Sequence, residues 1–410
     1  MTTLSAEQQA VIDAPLEPLS VVACAGSGKT RTAVRRLIEV RKRLGDHRGR
    51  VALLSFSNVA VDTFRDSYQA LAQDLPAGIG RDRVEIDTLD GFITSNILRP
   101  HAYRTMGATQ AAFLVVGGES FLNGFTFKTS TYPLSITKMQ VGFHDGAAYF
   151  YYANNDQVSE LNTAYASAIV SRLGRTGAYT HNLGRYWCHR VLLEQPAILR
   201  ALARRYPHIL IDESQDIGTL HQAILEQLMV AGTRISLIGD PHQGIYEFAG
   251  ANGKFLTQYG QRPGIKCYAL TRNYRSVPSI LALANKLSAR ADTAERTAPE
   301  TPHGAFFIAY KNAEREQLIA AFGSAVLAAG LDPKRSAVLC RGRELADKLA
   351  GNDAPAGQGL VKGFAAAAIL RDKRRDYLNA FKTVASCITG LLADPPPRSG
   401  GHDHPACTLP

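Results

Sequence analysis

The chain has 410 residues, of which 45% are hydrophobic and 20% charged, and its formal net charge is +10. This length predicts two or three domains rather than a single core. The composition is typical of a soluble globular protein, and no apolar run reaches the roughly 18 residues of a membrane-spanning helix. The basic charge favours a polyanionic partner, with nucleic acid first.

The N-terminal segment and the cysteines both indicate a cytoplasmic protein. The first residues lack the basic and apolar regions of a signal peptide. The six cysteines are scattered and contain no C-x-x-C pair, which is typical of reduced thiols.

The first predicted element is a short amphipathic helix over residues 4–12. Ser5 can cap this helix, and Gln8, three residues further on, can complete a capping box. The alternative is that the Gln8 amide pairs with the edge of an adenine, donor to acceptor and acceptor to donor. The local pattern alone favours the cap.

The segment from Leu19 to Thr30 has the pattern of a phosphate-binding loop. An apolar strand ends in small residues, and Gly28-Lys29-Thr30 opens a helix. In such loops, backbone N–H groups and the helix N-terminus bind phosphate oxygens. Lys29 is predicted to reach the β- and γ-phosphates and Thr30 to bind Mg²⁺. Ala23 stands where the usual pattern has glycine, and a chance Gly-Lys-Thr in an ordinary strand–turn–helix is the alternative.

Strands and helices alternate up to about residue 99, which predicts a parallel sheet. The predicted elements are a basic helix at 31–44, a strand at 51–56, a helix from 57 to about 75, a strand at 84–88 and a helix from 90. Residues 100–185 break this alternation. Two stretches there, Phe125–Ser130 and Ala147–Tyr152, resemble hairpin strands, so we predict an inserted subdomain without a catalytic signature.

The alternation resumes with an apolar strand at 209–211 that ends in Asp212 and Glu213. Ligands of open parallel sheets bind at the carboxyl ends of the strands. Asp212 is therefore a candidate to hold Mg²⁺ and Glu213 a candidate general base that polarises the attacking water. The alternative is a helix-capping Asp beside a solvated Glu.

A second apolar strand, at 235–238, also ends in polar groups. Gln243 follows it and can hydrogen-bond a γ-phosphate. The aromatic residues Tyr246 and Phe248 come next. They are either core residues or a stacking platform for the bases of a single strand.

A domain boundary is predicted near residues 261–264, with a second α/β domain beyond it. Two further strands are expected there, Ala305–Tyr310 and Ser336–Arg341, followed by one or two helices within 361–392. The Pro- and Gly-rich end is expected to be disordered. The predicted division is 1–99 and 186–264 for the first domain, 100–185 for the insertion, 265–392 for a partial second domain and 393–410 for the tail.

Taken together, these motifs resemble the superfamily 1 DNA helicases of the UvrD, Rep and PcrA type over residues 4–341. The matching segments are Ala23–Thr30, Ser55-Phe56-Ser57-Asn58, Asp212-Glu213-Ser214-Gln215-Asp216 and Arg272-Asn273-Tyr274-Arg275. The resemblance implies a RecA-like P-loop NTPase domain with an inserted subdomain, followed by an incomplete second RecA-like domain. ATP with Mg²⁺ would lie between the two domains, and single-stranded DNA would lie across their tops.

The resemblance also implies roles for particular residues, and it favours adenine recognition over the cap for Gln8. It implies catalytic roles for Glu213, Gln243 and Arg275, the last as an arginine finger, and Mg²⁺ binding by Thr30 and Asp212. The implied nucleotide contacts are Gln8, Ala25, Gly26, Ser27, Gly28, Lys29, Thr30, Arg31 and Tyr274. The implied DNA contacts are Phe56, Asn58, Thr88, Tyr246 and Phe248.

Two departures from the family pattern affect the functional prediction. Thr88-Leu89-Asp90 stands where the family often has Thr-Phe-His, and the last two helicase motifs, with a second arginine finger, have no counterpart. The first expectation is a 3′–5′ helicase that couples ATP hydrolysis to strand separation and acts with a repair protein or a nuclease as partner. The alternative is a nucleotide-gated module that binds single-stranded DNA, as a subunit beside a nuclease, and does not unwind DNA by itself.

Overall fold

The computed structural model describes residues 4–73, 82–129, 132–154, 157–244, 253–300, 303–311, 314–340, 342, 345–346, 349, 360–372 and 377–389. The chain divides into two compact units, Met1–Ala305 and Phe306–Pro410. All the predicted site residues that the structure describes lie in the first unit.

A parallel sheet of six strands forms the centre of the first unit. Its strands in chain order are β1 (Leu19–Ala23), β2 (Val51–Ser55), β3 (Val84–Thr88), β11 (His208–Ile211), β12 (Arg234–Gly239) and β13 (Lys266–Leu270). Their order across the sheet is β13-β1-β12-β11-β2-β3. β2 and β11 are short, apolar and buried along their whole length, and β1 is buried except at Val22, as expected for parallel strands covered on both faces.

Helices cover both faces of this sheet. The helices of the first unit are α1 (Ala6–Asp13), α2 (Lys29–Leu44), α3 (Asn58–Ala72), α4 (Leu89–Ile93), α5 (Arg99–Met106), α6 (Thr163–Arg175), α7 (His181–Glu194), α8 (Pro196–Arg205), α9 (Thr219–Val230), α10 (Lys254–Gly260) and α11 (Pro278–Ser288). A π-helical turn, Thr94–Leu98, joins α4 to α5. None of the described helices combines the length and the hydropathy needed to cross a membrane.

Alternate residues of β2, β11 and β12 enter two different cores. On β2, Leu53 belongs to the core beneath α2 and α3, whereas Leu54 belongs to the core that contains residues of α4, α5, α7 and α9. This second core continues without a break into the inserted segment. The insertion is therefore packed onto one face of the sheet and forms part of the first unit.

The inserted segment contains short strands around α6. They are β4 (Phe113–Leu114), β5 (Thr126–Phe127), β6 (Leu134–Ser135), β7 (Gln140–His144), β8 (Ala147–Asn154), β9 (Gln157–Leu161) and β10 (Ala178–Tyr179). β7, β8 and β9 form an antiparallel sheet, and β5 pairs with β6 antiparallel. The predicted strands near residues 125 and 147 are thus confirmed, although the first is only two residues long.

The predicted boundary at residues 261–264 is wrong. β13 follows that turn and pairs with β1 in parallel, from Leu19 opposite Lys266 to Ala23 opposite Leu270. The Gln261–Gly264 stretch is therefore a connection within the first unit, because the strand after it completes the same sheet. Two further short strands, β14 (Arg272–Asn273) and β15 (Thr293–Ala294), also belong to this unit.

The described residues of the second unit are helical or irregular. The helices are α12 (Arg315–Ala328), α13 (Leu360–Asp372) and α14 (Tyr377–Thr389), and the last two confirm the predicted helices within 361–392. The prediction of strands at Ala305–Tyr310 and Ser336–Arg341 is wrong for 305–310 and for 336–340, which have no ladder partner among the described residues. Phe307 is 96% exposed. The β-propensity of these residues is not sufficient to form a strand here, because the described part of the chain holds no neighbouring strand to pair with them. The predicted tail at 393–410 lies outside the described residues.

A buried histidine makes the stability of the sheet sensitive to acid. His208 Nε2 lies 2.9 Å from Ser236 Oγ, and burial, followed by the charges of Arg36 and Arg234, lowers the pKa of His208 to about 3 from 6.5. Between these values the unfolded chain binds a proton that the folded chain does not. Stability therefore falls as the pH decreases from 6.5, by at most about 1.4 kcal/mol per pH unit.

We expect His208→Gln to flatten this pH dependence. The measurement is the free energy of urea unfolding between pH 5 and 7, with His144→Gln, at an exposed position, as the control. Equal slopes for wild type and His208→Gln would contradict the assignment.

Candidate functional site

A cleft of about 530 Å³ lies at the carboxyl edge of the sheet. Parallel strands direct their carboxyl ends to one edge, which is where such sheets bind ligands. The cleft brings together nine of the residues that the sequence predicts to bind or process a nucleotide: Ala25, Gly26, Gly28, Lys29, Thr30, Arg31, Glu213, Gln243 and Arg275. They come from four separate segments of the chain.

The loop between β1 and α2 has the geometry of an anion-binding loop. Gly26 and Gly28 have positive φ angles, 73° and 80°, which only glycine adopts without strain. Gly28 is the N-cap of α2, a helix of 16 residues whose unsatisfied N–H groups and positive dipole end favour a phosphate. Lys29 and Thr30 form the first turn of this helix at the cleft.

Two of the predicted nucleotide contacts, Gln8 and Ser27, form hydrogen bonds that support the phosphate loop. The Ser27 hydroxyl donates to Cys24 O (2.8 Å), and Ser27 O accepts from Gln8 Nε2 (2.9 Å). Gln8 also completes the predicted capping box with Ser5. Both side chains are buried. The structure thus confirms the cap, and adenine recognition by Gln8 stays a prediction.

Glu213 projects into the cleft from a strained backbone. Its φ angle is 52°, a conformation that costs a non-glycine residue of order 1 kcal/mol or more and that recurs at functional sites. The Glu213 carboxylate lies 3.3 Å from Lys29 Nζ and accepts a 2.8 Å hydrogen bond from Gln215 Nε2. The predicted base and the predicted phosphate-binding lysine are therefore in contact.

A polar network that sequence reasoning missed connects Glu213 to Gln243. Gln215 Oε1 accepts from Asp240 N (3.0 Å), and Asp240 Oδ2 accepts from Gln243 Nε2 (2.7 Å). Asp240 also lies 3.6 Å from Arg290 Nη1. Asp240 follows the apolar strand β12 directly, and Gln215 follows β11 within a few residues. Their position after an apolar strand is the sequence feature from which both could have been predicted as site residues.

Two further carboxylates, the buried Asp212 and the half-buried Asp216, interact with the charge of Glu213. Burial first, and then the Glu213 charge, raise the pKa of Asp212 to about 7 and that of Asp216 to about 6. In the part of the chain that the structure describes, the Oδ1 atoms of both residues are buried without a hydrogen-bond partner. Oxygen donors left unsatisfied in this way fit a hard divalent cation such as Mg²⁺.

The loop that carries Tyr274 and Arg275 packs directly against the phosphate loop. Asn273 Nδ2 donates to Ala25 O (2.6 Å), and Tyr274 N donates to Gly26 O (2.9 Å). Asn273 Oδ1 in turn accepts from Arg275 N (2.9 Å). Asn273 is 1% exposed and is the buried connection between the two loops, a role that the sequence did not reveal. Tyr274 is 40% exposed beside the cleft.

Three predicted DNA contacts lie together at the same edge of the sheet. Phe56, Asn58 and Thr88 line a depression of about 190 Å³. Phe56 is half-buried, and its ring lies at 78° to the His221 ring with a centroid distance of 5.8 Å. The Thr88 hydroxyl caps α4 by accepting from Gly91 N. Tyr246 and Phe248 lie outside the described residues, so their role stays a prediction.

Asp90, the departure from the family pattern, lies in the same depression and is neutralised by neighbouring residues. Its carboxylate accepts from Arg185 Nε (2.8 Å), Arg185 Nη2 (2.6 Å) and His221 Nε2 (2.9 Å). Burial alone would raise the pKa of Asp90, but these hydrogen bonds hold it well below its usual range. The negative charge of Asp90 is therefore paired at the surface where DNA contacts are predicted.

Several curated proteins are similar to this chain over most of its length. The ATP-dependent DNA helicase UvrD2 of Mycobacterium tuberculosis is 25% identical over 70% of this chain and 43% of its own. The putative ATP-dependent DNA helicase YjcD of Bacillus subtilis is 24% identical over 84% of this chain and 47% of its own. DNA helicase II of Escherichia coli is 23% identical over 70% and 40%. The chain thus spans less than half the length of these relatives.

A family model also matches the chain directly. The UvrD/REP helicase N-terminal domain matches residues 4–132 and 134–263, which together are more than half of the chain. These ranges contain the phosphate loop, Asp212, Glu213 and Gln243, which the structure gathers at the carboxyl edge of one parallel sheet. The chain therefore belongs to the UvrD/REP helicase family, with the RecA-like fold that this domain implies.

Proposed function

We propose that the first unit binds ATP with Mg²⁺ in the cleft and hydrolyses it. The observation that carries the proposal is the shared position of Lys29, Glu213, Gln243 and Arg275 around one cleft. A phosphate-binding lysine, a carboxylate base, a polar γ-phosphate contact and an arginine are the parts that phosphoryl transfer requires. No other residue set in the described chain combines them.

Each side chain has a distinct task in this mechanism. The N–H groups of the loop and of the first turn of α2 bind the phosphates, with Lys29 as their counter-charge. Glu213 takes the proton of the attacking water, and Gln215 and Lys29 hold its carboxylate. Gln243, held by Asp240, contacts the γ-phosphate. Arg275 stabilises the charge that develops there.

Thr30 and Asp212 are the residues that would hold Mg²⁺. The ion would neutralise phosphate charge when bound. The buried, unpartnered carboxylate oxygens support this assignment.

The proposed macromolecular substrate is single-stranded DNA. Phe56 offers an aromatic ring for stacking, and Asn58 and Thr88 line the same depression with polar groups. Stacking on aromatic rings suits single strands of any sequence. The similarity to ATP-dependent DNA helicases supports a DNA helicase. The 3′–5′ direction belongs to the proposal through the family resemblance alone, and the cytoplasmic location through the sequence pattern alone. A repair protein or a nuclease as partner belongs to the proposal through the family resemblance alone.

ATPase and unwinding assays test this proposal. We expect single-stranded DNA to stimulate phosphate release by the purified chain, and a duplex with a 3′ tail to be unwound in preference to one with a 5′ tail. Stimulation without unwinding would leave an ATP-dependent DNA-binding module. An absence of ATP binding would overturn the proposal.

Phe56→Ala tests the stacking role. We expect affinity for a short single strand to fall by about 1–3 kcal/mol, the usual contribution of one base–aromatic stack. The measurement is fluorescence anisotropy at a fixed salt concentration, since phosphate contacts make affinity depend on salt. Phe121→Ala, at an exposed position of the insertion, is the matched control. Unchanged affinity in Phe56→Ala would assign Phe56 to the core.

A further inference from the structure

Helix α1 carries two adjacent polar side chains that contact two different loops of the cleft. Gln8 contacts the phosphate loop through Ser27 O. Glu7 contacts the other loop, where its Oε2 accepts from Thr271 N (2.9 Å) and its Oε1 accepts from the Thr271 hydroxyl (2.6 Å). Both carboxylate oxygens of Glu7 are therefore used on one residue, four positions before Arg275.

The segment from Thr271 to Arg275 has little freedom to adjust. Asn273 and Tyr274 are hydrogen-bonded to the carbonyl groups of Ala25 and Gly26. A Cβ atom added to Gly26 would lie 2.5 Å from Arg275 Cβ, so the two loops touch. A shift at Thr271 would therefore be transmitted to the place where Arg275 meets the cleft.

Helix α1 is itself firmly held. The buried Arg36 donates hydrogen bonds to the carbonyl groups of Ile12, Ala14 and Pro15 at the C-terminal end of α1. A cation at this end also interacts favourably with the helix dipole. Although α1 lies near the start of the chain, it is a fixed support from which Glu7 can act.

We propose that Glu7 is a positioning residue for Arg275, and the proposal rests on the proposed function of the cleft. The Glu7 carboxylate fixes Thr271 and so sets how far Arg275 reaches toward the γ-phosphate. A carboxylate suits this task because it offers two acceptors to two donors and forms charge-assisted bonds. A glutamine at this position offers one acceptor oxygen and turns an NH₂ group toward the other donor.

The test compares nucleotides that differ in the γ-phosphate. Dissociation constants are measured by fluorescence for a slowly hydrolysed ATP analogue and for ADP, both with a fluorescent label. We expect Glu7→Gln to weaken the ATP analogue roughly tenfold, the scale of one lost charge-assisted bond, and to change ADP binding less than about twofold. Arg275→Ala should give the same selective loss. A variant that merely loosened the fold would weaken both nucleotides.

Variants of Thr271 test the same contact from its other side. Thr271→Val removes the hydroxyl and should reproduce the selective loss, whereas Thr271→Ser keeps the hydroxyl and should bind as wild type. The double variant Glu7→Gln/Thr271→Val should lose no more than the larger single loss, because both remove one interaction. If Glu7→Gln fails to fold, the Thr271 pair decides the question.

Glu17→Gln is the matched control, since Glu17 pairs with Lys266 at an exposed position before β1, and it should bind both nucleotides as wild type.

Lys29→Ala separates this inference from the proposed function. If Lys29→Ala leaves both affinities unchanged, the proposed nucleotide site is wrong. If Lys29→Ala and Arg275→Ala behave as expected but Glu7→Gln and Thr271→Val keep the preference for the ATP analogue, only the positioning role of Glu7 is overturned.

Discussion

Lys29→Ala should lower ATP affinity by more than the loss of a single contact. A hydrogen bond to a charged group contributes about 1.5–3 kcal/mol, which is roughly a 10- to 150-fold change in Kd. The 3.3 Å contact between Lys29 and Glu213 adds a second effect. Without the lysine, the Glu213 charge faces the phosphates uncompensated, and we expect binding to fall below detection.

Calorimetry with ATP and Mg²⁺ measures this loss, and two further variants make it specific. Lys42→Ala changes an exposed lysine at the other end of α2 and should bind as wild type. Lys29→Ala/Glu213→Gln removes the repulsion as well and should regain part of the affinity. Equal affinity in wild type and Lys29→Ala would remove the basis for the nucleotide site.

Glu213→Gln should retain ATP binding and lose hydrolysis. A general base typically contributes about 10²–10⁴ in rate, so we expect kcat to fall within that range. The amide keeps the size of the side chain and one acceptor for Lys29 but cannot accept a proton from water. Affinity should be equal or higher, because one negative charge beside the phosphates is removed.

The experiment measures phosphate release in the presence of single-stranded DNA together with the Kd for ATP. These two values separate an effect on hydrolysis from an effect on ATP binding. Glu226→Gln, which changes a carboxylate on α9 that pairs with Arg262, should leave both values unchanged. A kcat for Glu213→Gln within about threefold of wild type would place the base at another residue.

The site could be predicted from the sequence where each residue type follows from a local constraint. The phosphate loop needs glycines at positive φ before a lysine, and Gly26 and Gly28 meet that need. Asp212, Glu213 and Gln243 each follow a buried apolar strand, and parallel strands end at a common edge. For Gln8 the local pattern favoured the capping box, which the structure contains, although the family resemblance favoured adenine recognition.

Contacts between distant segments could not be predicted in the same way. The pairing of β13 with β1 joins residues about 250 positions apart, and no local pattern shows which sheet a strand will enter. The burial of Asn273 against Ala25 and the pairing of Asp90 with Arg185 and His221 depend on the same tertiary packing. The strand predicted near residue 307 is absent from the described residues because β-propensity alone does not provide a neighbouring strand to pair with.

The position of β1 between β12 and β13 determines when the nucleotide site can form during synthesis. Both neighbours of β1 lie more than 200 residues downstream of it. At about 5–20 residues per second, the ribosome needs on the order of tens of seconds to deliver them. Throughout that time β1 has neither partner strand, and the phosphate loop has no sheet to support it. The phosphate loop leaves the ribosome long before the strands that flank β1, and it is therefore among the last parts of the unit to reach its native structure. Until then the nascent chain carries an apolar strand with open edges that chaperones can bind.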